Sequence, residues 1–156
     1  MSSVNETSKN RPIATILVVD DNKAVLDFLL LLLSKNSFKV IGASSGHECL
    51  RIVQSEHIDL IILDVMMPVM DGLEVCQELK KLTLSVPVIL LTARDDMMTR
   101  AAAMDLGVSE FVAKPVNNKD LLDRVRTQLR NVEWDKAADQ VVSKIDKSGK
   151  TPRNKR

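Results

Sequence analysis

The sequence predicts an α/β fold in which a five-stranded parallel sheet is covered by helices on both faces. Short apolar segments rich in β-branched residues alternate five times with longer segments whose apolar residues recur every three or four positions. Strands that alternate with helices in this way are joined by crossover connections, which makes the strands parallel. The strand segments are also apolar at nearly every position, as expected when both faces of a sheet are buried.

The first six elements follow from this alternation and from their end signals. They are predicted to be a strand at Thr15–Val19, a helix at 22–36, a strand at 38–43, a helix at 44–56, a strand at 59–64 and a helix at 72–82. Asn22, and either Ser44 or Ser45, stand where their side chains can accept free N–H groups at the starts of the first two helices. In the second helix, Cys49 and Val53 are spaced to share one face.

The last four elements complete the pattern. They are predicted to be a strand at 86–92, a helix at 95–107, a strand at 109–113 and a helix at 117–132. Gly107 is the expected stop of the fourth helix, and Asn117 or Asn118 starts the fifth, in which Leu121 and Val125 face one side. Five such strands usually adopt the order 2-1-3-4-5, which makes the fold doubly wound and flavodoxin-like.

The length of 156 residues suits one packed domain with additional segments at its ends. Residues 1–13 are expected to be a disordered N-terminal segment, residues 14–130 the domain, and residues 131–156 a helical extension with a basic tail. No apolar run approaches the roughly 20 residues of a membrane-spanning helix. Cys49 and Cys76 lack the spacing of a metal site, so they are expected to be reduced thiols of a cytoplasmic protein.

Charge and aromatic content argue against direct nucleic-acid binding. Residues 147–156 carry five cationic side chains and no acid, so the rest of a chain with net charge +1 is acidic, at −4. Aromatic residues make up 3% of the chain and Tyr is absent, which leaves few rings on which unpaired bases could stack. The basic tail is interpreted as a solvated segment, with contact to nucleic acid or an anionic surface as the alternative.

Polar side chains stand at the ends of four predicted strands: Asp20 and Asp21 after the first, Asp64 on the third, Thr92 on the fourth and Lys114 after the fifth. Ligands of open parallel sheets bind outside the carboxyl ends of the strands, where the strand order reverses. In the order 2-1-3-4-5 the first and third strands are neighbours, so the three carboxylates are expected to converge. Each would resist ionising beside the others unless a cation binds. Mg²⁺ suits a few carboxylates together with water and a phosphate oxygen.

Asp64 is then a carboxylate nucleophile placed to form an aspartyl-phosphate, with Lys114 and Thr92 beside the phosphoryl oxygens. Each of these residues alone has a plainer explanation. A single Asp or Thr after a strand commonly caps a turn or a helix, and a single Lys is more often a surface ion-pair partner. The functional interpretation therefore depends on their joint occurrence at matching strand ends.

Four motifs give the sequence its resemblance to the receiver domain of two-component response regulators, over about residues 14–130. They are ILVVDDN around the paired acids, LDVMMPVMDG around Asp64, VILLTA and EFVAKP. The resemblance implies that Asp64 accepts a phosphoryl group from a sensor histidine kinase or a phosphotransfer protein. It also implies Mg²⁺ as cofactor, held by Asp20, Asp21 and Asp64, directly or through water, and by the backbone carbonyl of Met66.

The family pattern implies further roles around the phosphoryl group. Thr92 and Lys114 would move onto its oxygens, and the Lys114–Pro115 peptide bond would be cis. Phe111 occupies the aromatic switch position, whose ring turns inward as the threonine moves; a purely structural core role is the alternative for this residue. The fourth helix, fifth strand and fifth helix would then change their surface toward a downstream protein target.

The sequence leaves open whether two methionines are exposed or buried, and it bears on the rate of self-dephosphorylation. Met97 and Met98 lie on the fourth helix, where they are either partner-contacting or core residues. Met66 and Arg94 lie two positions beyond Asp64 and Thr92, where family members tune hydrolysis. Neither side chain is a good water-orienting acid or amide, so slow self-dephosphorylation is expected.

The leading interpretation is a phosphorylation-activated protein–protein switch that catalyses only its own phosphorylation and slow dephosphorylation. The alternative is a receiver fragment of a longer DNA-binding or enzymatic regulator. A magnesium-dependent phosphohydrolase would usually need an acid two residues after the nucleophile, where this chain has Met66. A phosphate-independent binding module would leave the strand-end residues unexplained.

Overall fold

The computed structural model describes residues 14–92 and 97–131. The sequence predictions for residues 1–13, for Arg94 and for residues 132–156 lie outside these ranges. The strands are β1 (Thr15–Val19), β2 (Lys39–Ala43), β3 (Leu60–Asp64), β4 (Val88–Thr92) and β5 (Glu110–Ala113). The helices are α1 (Lys23–Lys35), α2 (Gly46–Ser55), α3 (Gly72–Lys81), α4 (Met97–Asp105) and α5, described over 118–131.

The five strands form one parallel sheet in the order β2-β1-β3-β4-β5, as predicted. β1 and β3 are neighbours although a strand and two helices separate them along the chain, and Val19 pairs with Leu63 in their register. The order therefore reverses at the carboxyl ends of β1 and β3, where Asp20 and Asp64 stand. This is the position at which open α/β sheets bind ligands.

Helices cover both faces of the sheet, which explains the continuous apolar strands. Alternate strand residues such as Leu17 and Leu63 pack under α2, α3 and α4, in a core that includes Cys49, Val75 and Ala103. The intervening strand residues pack under α1 and α5, in a second core with Leu29, Leu33, Leu121 and Val125. Because successive side chains of a strand point to opposite faces, each strand contributes residues to both apolar cores.

The predicted helix ends are confirmed, and the open choices among caps are resolved. The side chains of Asn22, Ser45 and Asn117 accept backbone N–H groups at the starts of α1, α2 and α5. Gly107 has φ +83° and its N–H bonds the carbonyl of Met104, which ends α4 in the left-handed turn that glycine adopts without steric cost.

Candidate functional site

The strand-end residues meet at one edge of the sheet, as the sequence predicted. Asp20 follows β1, Asp64 and Thr92 are the last residues of β3 and β4, and Lys114 follows β5. Asp20, Asp64 and Thr92 are buried, with 1%, 4% and 6% of their surfaces exposed. Polar groups buried at this level need partners or a ligand, since an unpaired charge in an apolar surrounding is costly.

Three carboxylates form the centre of the site. Asp20, Asp21 and Asp64 each offer an oxygen, and these atoms lie within 4.8 Å of one another. Asp20 and Asp64 are buried while Asp21 is exposed, so the cluster opens to solvent on one side. The donor set of hard oxygens with an open side fits Mg²⁺, which keeps several waters in its coordination shell.

Lys114 supplies the compensating charge. Its Nζ lies 3.0 Å from Oδ2 of Asp20 and 3.0 Å from Oδ1 of Asp64, so one ammonium bridges two buried acids. The backbone N–H of Lys114 donates to the carbonyl of Thr92 at 2.8 Å, which joins the ends of β4 and β5. The second carboxylate oxygen of Asp20 accepts the N–H of Asn22 at 2.9 Å.

The site shifts the acidity of its groups. Burial raises the pKa of the Asp64 carboxyl above its usual range, opposed by the hydrogen bond from Lys114 and reinforced by the charge of Asp20. Burial alone would lower the pKa of the Lys114 ammonium, but its bonds to Asp64 and Asp20 outweigh burial and raise that pKa. At neutral pH the ammonium is therefore firmly protonated beside its two acids.

The loop after Asp64 depends on Asp71 and Gly72, the Asp-Gly pair at its end. Asp71 caps α3 in a capping box, since its side chain accepts the N–H of Glu74 while the Glu74 carboxylate accepts the N–H of Asp71. Gly72 lies against the backbone at the end of β3, and a Cβ there would stand 2.5 Å from the carbonyl oxygen of Asp64. Only glycine permits this approach, so the sequence Asp-Gly sets where α3 begins relative to Asp64.

The tip of the same loop is exposed and apolar. The Met66 side chain is 73% exposed and that of Val69 is 92% exposed. Val69 has φ +71°, a conformation that is unfavourable for a β-branched residue. This backbone was not predicted from the sequence, in which the available signal was the position of Val69 after Pro68 in a turn-forming stretch.

The predicted switch residue has a partner that the sequence analysis missed. Phe111 is partly buried against the core beneath α2, α3 and α4. The guanidinium carbon of Arg100, on α4, lies 5.0 Å from the centroid of the Phe111 ring. Contacts between α4 and β5 depend on the packing angle of the helix, so periodicity alone does not reveal them.

Two further expectations are settled by the coordinates. Met97 and Met98 are each 82% exposed, so they are surface residues and not core. The Lys114–Pro115 peptide bond is cis, as expected. The two methionines begin the helix that comes after Thr92 in the chain, and the cis bond directly follows Lys114.

The fold and the site together define a class of α/β domain with an acid cluster and an ammonium at the switch point of the sheet. The sequence model of the response regulator receiver domain matches residues 16–126. The chain belongs to this family, whose members are signalling domains and not a conventional enzyme family.

Named relatives agree with this assignment. Response regulator MprA of Mycobacterium ulcerans (strain Agy99) is 44% identical over 129 residues, which are 81% of this chain and 56% of that protein. The probable transcriptional regulator ycf27 of Cyanophora paradoxa is 44% identical over 118 residues, covering 76% of this chain and 49% of that protein. The chain therefore spans about half the length of these relatives.

Solved structures show the same fold. A CheY-like response regulator receiver domain protein from Methanospirillum hungatei JF-1 superposes with a TM-score of 0.75 at 28% identity, covering 78% of this chain and 98% of that one. A response regulator receiver domain protein from Clostridium thermocellum gives 0.73 at 33% identity, with coverage of 78% and 98%. None of the helices within residues 14–92 and 97–131 has the length and hydropathy of a membrane-spanning segment.

Proposed function

We propose that Asp64 is the phosphoacceptor of this receiver domain. One observation carries the proposal: Asp64 is buried at the tip of β3, within 4.8 Å of two other acids and 3.0 Å from the Lys114 ammonium. A purely structural aspartate at a strand tip needs neither the second and third carboxylates nor a bridging cation. A phosphorylated aspartate needs both a divalent cation and a fixed positive charge.

The chemistry is a direct transfer. An oxygen of the Asp64 carboxylate attacks phosphorus, the bond from phosphorus to the donor nitrogen or oxygen breaks, and the donor leaves with that electron pair. Asp20, Asp21, Asp64 and the Met66 carbonyl would hold Mg²⁺, which neutralises charge on the transferring group when bound. Lys114 then balances the remaining charge, and the Thr92 hydroxyl donates to a phosphoryl oxygen.

The proposed donor is a sensor histidine kinase or a phosphotransfer protein, and the proposed readout is contact with a downstream protein. The added phosphoryl group carries about −1.5 to −2 charges, which draws Thr92 and Lys114 inward and leaves room for Phe111 to move. A receiver within a longer DNA-binding or enzymatic regulator would use the same switch. This chain covers about half of MprA and of ycf27, which supports the alternative of a receiver within a longer regulator. A cytoplasmic location stays a prediction.

Turnover as a phosphohydrolase is disfavoured by chemistry at the position two residues beyond Asp64. Met66 has no proton to give to a leaving group and its side chain points into solvent. The same absence of a water-orienting group supports slow self-dephosphorylation once Asp64 is modified.

The test is phosphorylation by a small acyl-phosphate donor with Mg²⁺, followed by intact-mass measurement. Wild-type protein should gain one phosphoryl group, and Asp64→Asn should gain none. Asp27→Asn is the matched control, because Asp27 is an exposed acid on α1 paired with Lys23. Modification of Asp64→Asn to the wild-type extent would reject the assignment. A wild-type adduct that disappears within seconds would reject slow dephosphorylation.

A further inference from the structure

We propose that Arg100 is a positioning residue, which holds the Phe111 ring in its resting place and thereby opposes binding of a phosphoryl group at Asp64. This inference rests on the proposed function of Asp64 and adds a specific restraint to it. The observation behind it is the contact of the Arg100 guanidinium with the Phe111 ring, 5.0 Å from carbon to centroid. That separation is within the range of about 6 Å over which a cation is attracted to an aromatic face.

The surroundings make this contact stronger than a fully exposed one. Arg100 and Phe111 are both half-buried, and the ring packs against the apolar core. Partial removal of water strengthens the attraction between a cation and a ring. The contact joins α4 to β5.

Both partners are attached to residues of the site. Phe111 lies on β5, three residues before Lys114, and pairs with Leu90 of β4. Arg100 lies on α4, which begins five residues after Thr92. The N–H of Lys114 is bonded to the carbonyl of Thr92. A movement of the ring is therefore transmitted to the backbone that carries the two phosphoryl-contacting residues.

The direction of the effect follows from linkage. A contact present in the resting state and lost in the phosphorylated state stabilises the resting state, so any ligand that favours the other state binds more weakly. Loss of one cation–π contact should then raise the affinity of the site for a phosphoryl analogue by about two- to fivefold.

The experiment uses beryllofluoride with Mg²⁺ as the phosphoryl analogue, and protein labelled with 4-fluorophenylalanine. The chain contains three Phe residues, so three fluorine signals are expected, and Phe111→Leu identifies one of them. Arg100→Met should shift the Phe111 signal in the resting state and raise the beryllofluoride affinity by about two- to fivefold. Arg100→Lys should lie between. Arg126→Met, which removes a bond to Asn36 far from the ring, should match wild type.

The outcomes distinguish a failure of the proposed role of Arg100 from a failure of Asp64 as the phosphoacceptor. Wild-type binding with an unchanged or weaker affinity in Arg100→Met overturns the role of Arg100 and leaves Asp64 as phosphoacceptor. An effect of Arg100→Met that persists in the Phe111→Leu background also overturns it, because Arg100 then acts through another contact. Failure of wild-type protein both to bind beryllofluoride and to become phosphorylated rejects the proposed function and this inference together.

Discussion

The ammonium of Lys114 lies 3.0 Å from Oδ1 of Asp64 and at the same distance from Oδ2 of Asp20. This single side chain bridges two of the three carboxylates that are proposed to hold a divalent cation. Because the Lys114 ammonium and a bound Mg²⁺ would both be positive and close together, we expect Lys114 to weaken Mg²⁺ binding before phosphorylation.

Replacing Lys114 with Met should tighten Mg²⁺ binding and destabilise the metal-free protein. The substitution leaves Asp20 and Asp64 buried without their cation, which should cost about 3 kcal/mol of unfolding free energy in the presence of a chelator. Mg²⁺ should restore most of that loss. Urea unfolding with chelator or with Mg²⁺ measures both effects.

Lys119→Met is the control for Lys114→Met, since Lys119 pairs with Asp123 at an exposed position on α5. It should leave both the Mg²⁺ affinity and the unfolding free energy unchanged. Weaker Mg²⁺ binding in Lys114→Met than in wild type would show that the ammonium assists the metal and does not compete with it.

The pH dependence of stability should reveal the cost of ionising Asp64. Its pKa is raised in the folded protein, mainly by burial, above the ordinary value of 3.8. The folded state thus binds more protons than the unfolded state between these two pKa values, so the contribution of Asp64 to stability falls as pH rises through that window. Asp64→Asn should be more stable than wild type at pH 7 without metal.

The stability advantage of Asp64→Asn should shrink as the pH is lowered toward the unfolded pKa of 3.8. Thermal unfolding in chelator over a series of pH values measures it. A difference between the two proteins that stays constant across the series would contradict a raised pKa at Asp64.

Gly72→Ala should displace α3 from the nucleophile. The added Cβ would meet the Asp64 carbonyl oxygen at 2.5 Å and the Val65 Cα at 2.9 Å, both backbone atoms. A loss of about 2–3 kcal/mol of unfolding free energy is expected, with slower phosphorylation by an acyl phosphate. Gly42→Ala is the control, because its nearest neighbour is the mobile end of the Leu30 side chain. Equal losses at the two sites would contradict this explanation.

Val69→Gly should stabilise the protein. Val69 holds φ +71° with its side chain 92% exposed, so the valine contributes little packing and carries the steric cost of the left-handed region. Glycine removes that cost at the expense of some chain entropy, for a net gain of about 1 kcal/mol. Urea unfolding measures the gain, and Val69→Ala, which keeps a Cβ, should recover much less of it.

The thiols of Cys49 and Cys76 should be unreactive in the native protein. Both are buried, and burial raises the pKa of each thiol to about 12. The reactive thiolate is therefore scarce near pH 8. A chromogenic disulfide reagent should react with neither cysteine in buffer and with both in denaturant. Rapid reaction of one thiol in buffer would show that its helix opens locally.

The sequence was sufficient for the architecture because the physical signals are local and repeated. Asn22, Ser45 and Gly107 mark helix ends by their own chemistry, and parallel strands bring their carboxyl ends to one edge. Asp20 and Asp64 could thus be placed together without coordinates. Which serine caps α2 needed the structure, since Ser44 and Ser45 are chemically equivalent.

What sequence did not predict depends on packing between distant elements. The bridging position of Lys114 depends on where the backbone turns after β5. The ring contact of Arg100 depends on how α4 sits on the sheet. The exposure of Met97 and Met98 was undecidable, because methionines at helical spacing suit a core and a surface equally well.

The bond between Lys114 and Asp20 joins residues 94 positions apart in the chain. The sheet must bring the ends of β1, β3 and β5 together before that ammonium reaches its acids. A chain in which β5 has not yet joined the sheet has Asp20 and Asp64 but lacks their counter-charge. Late arrival of β5 thus leaves a repulsion between acids at the sheet edge that only the completed sheet relieves.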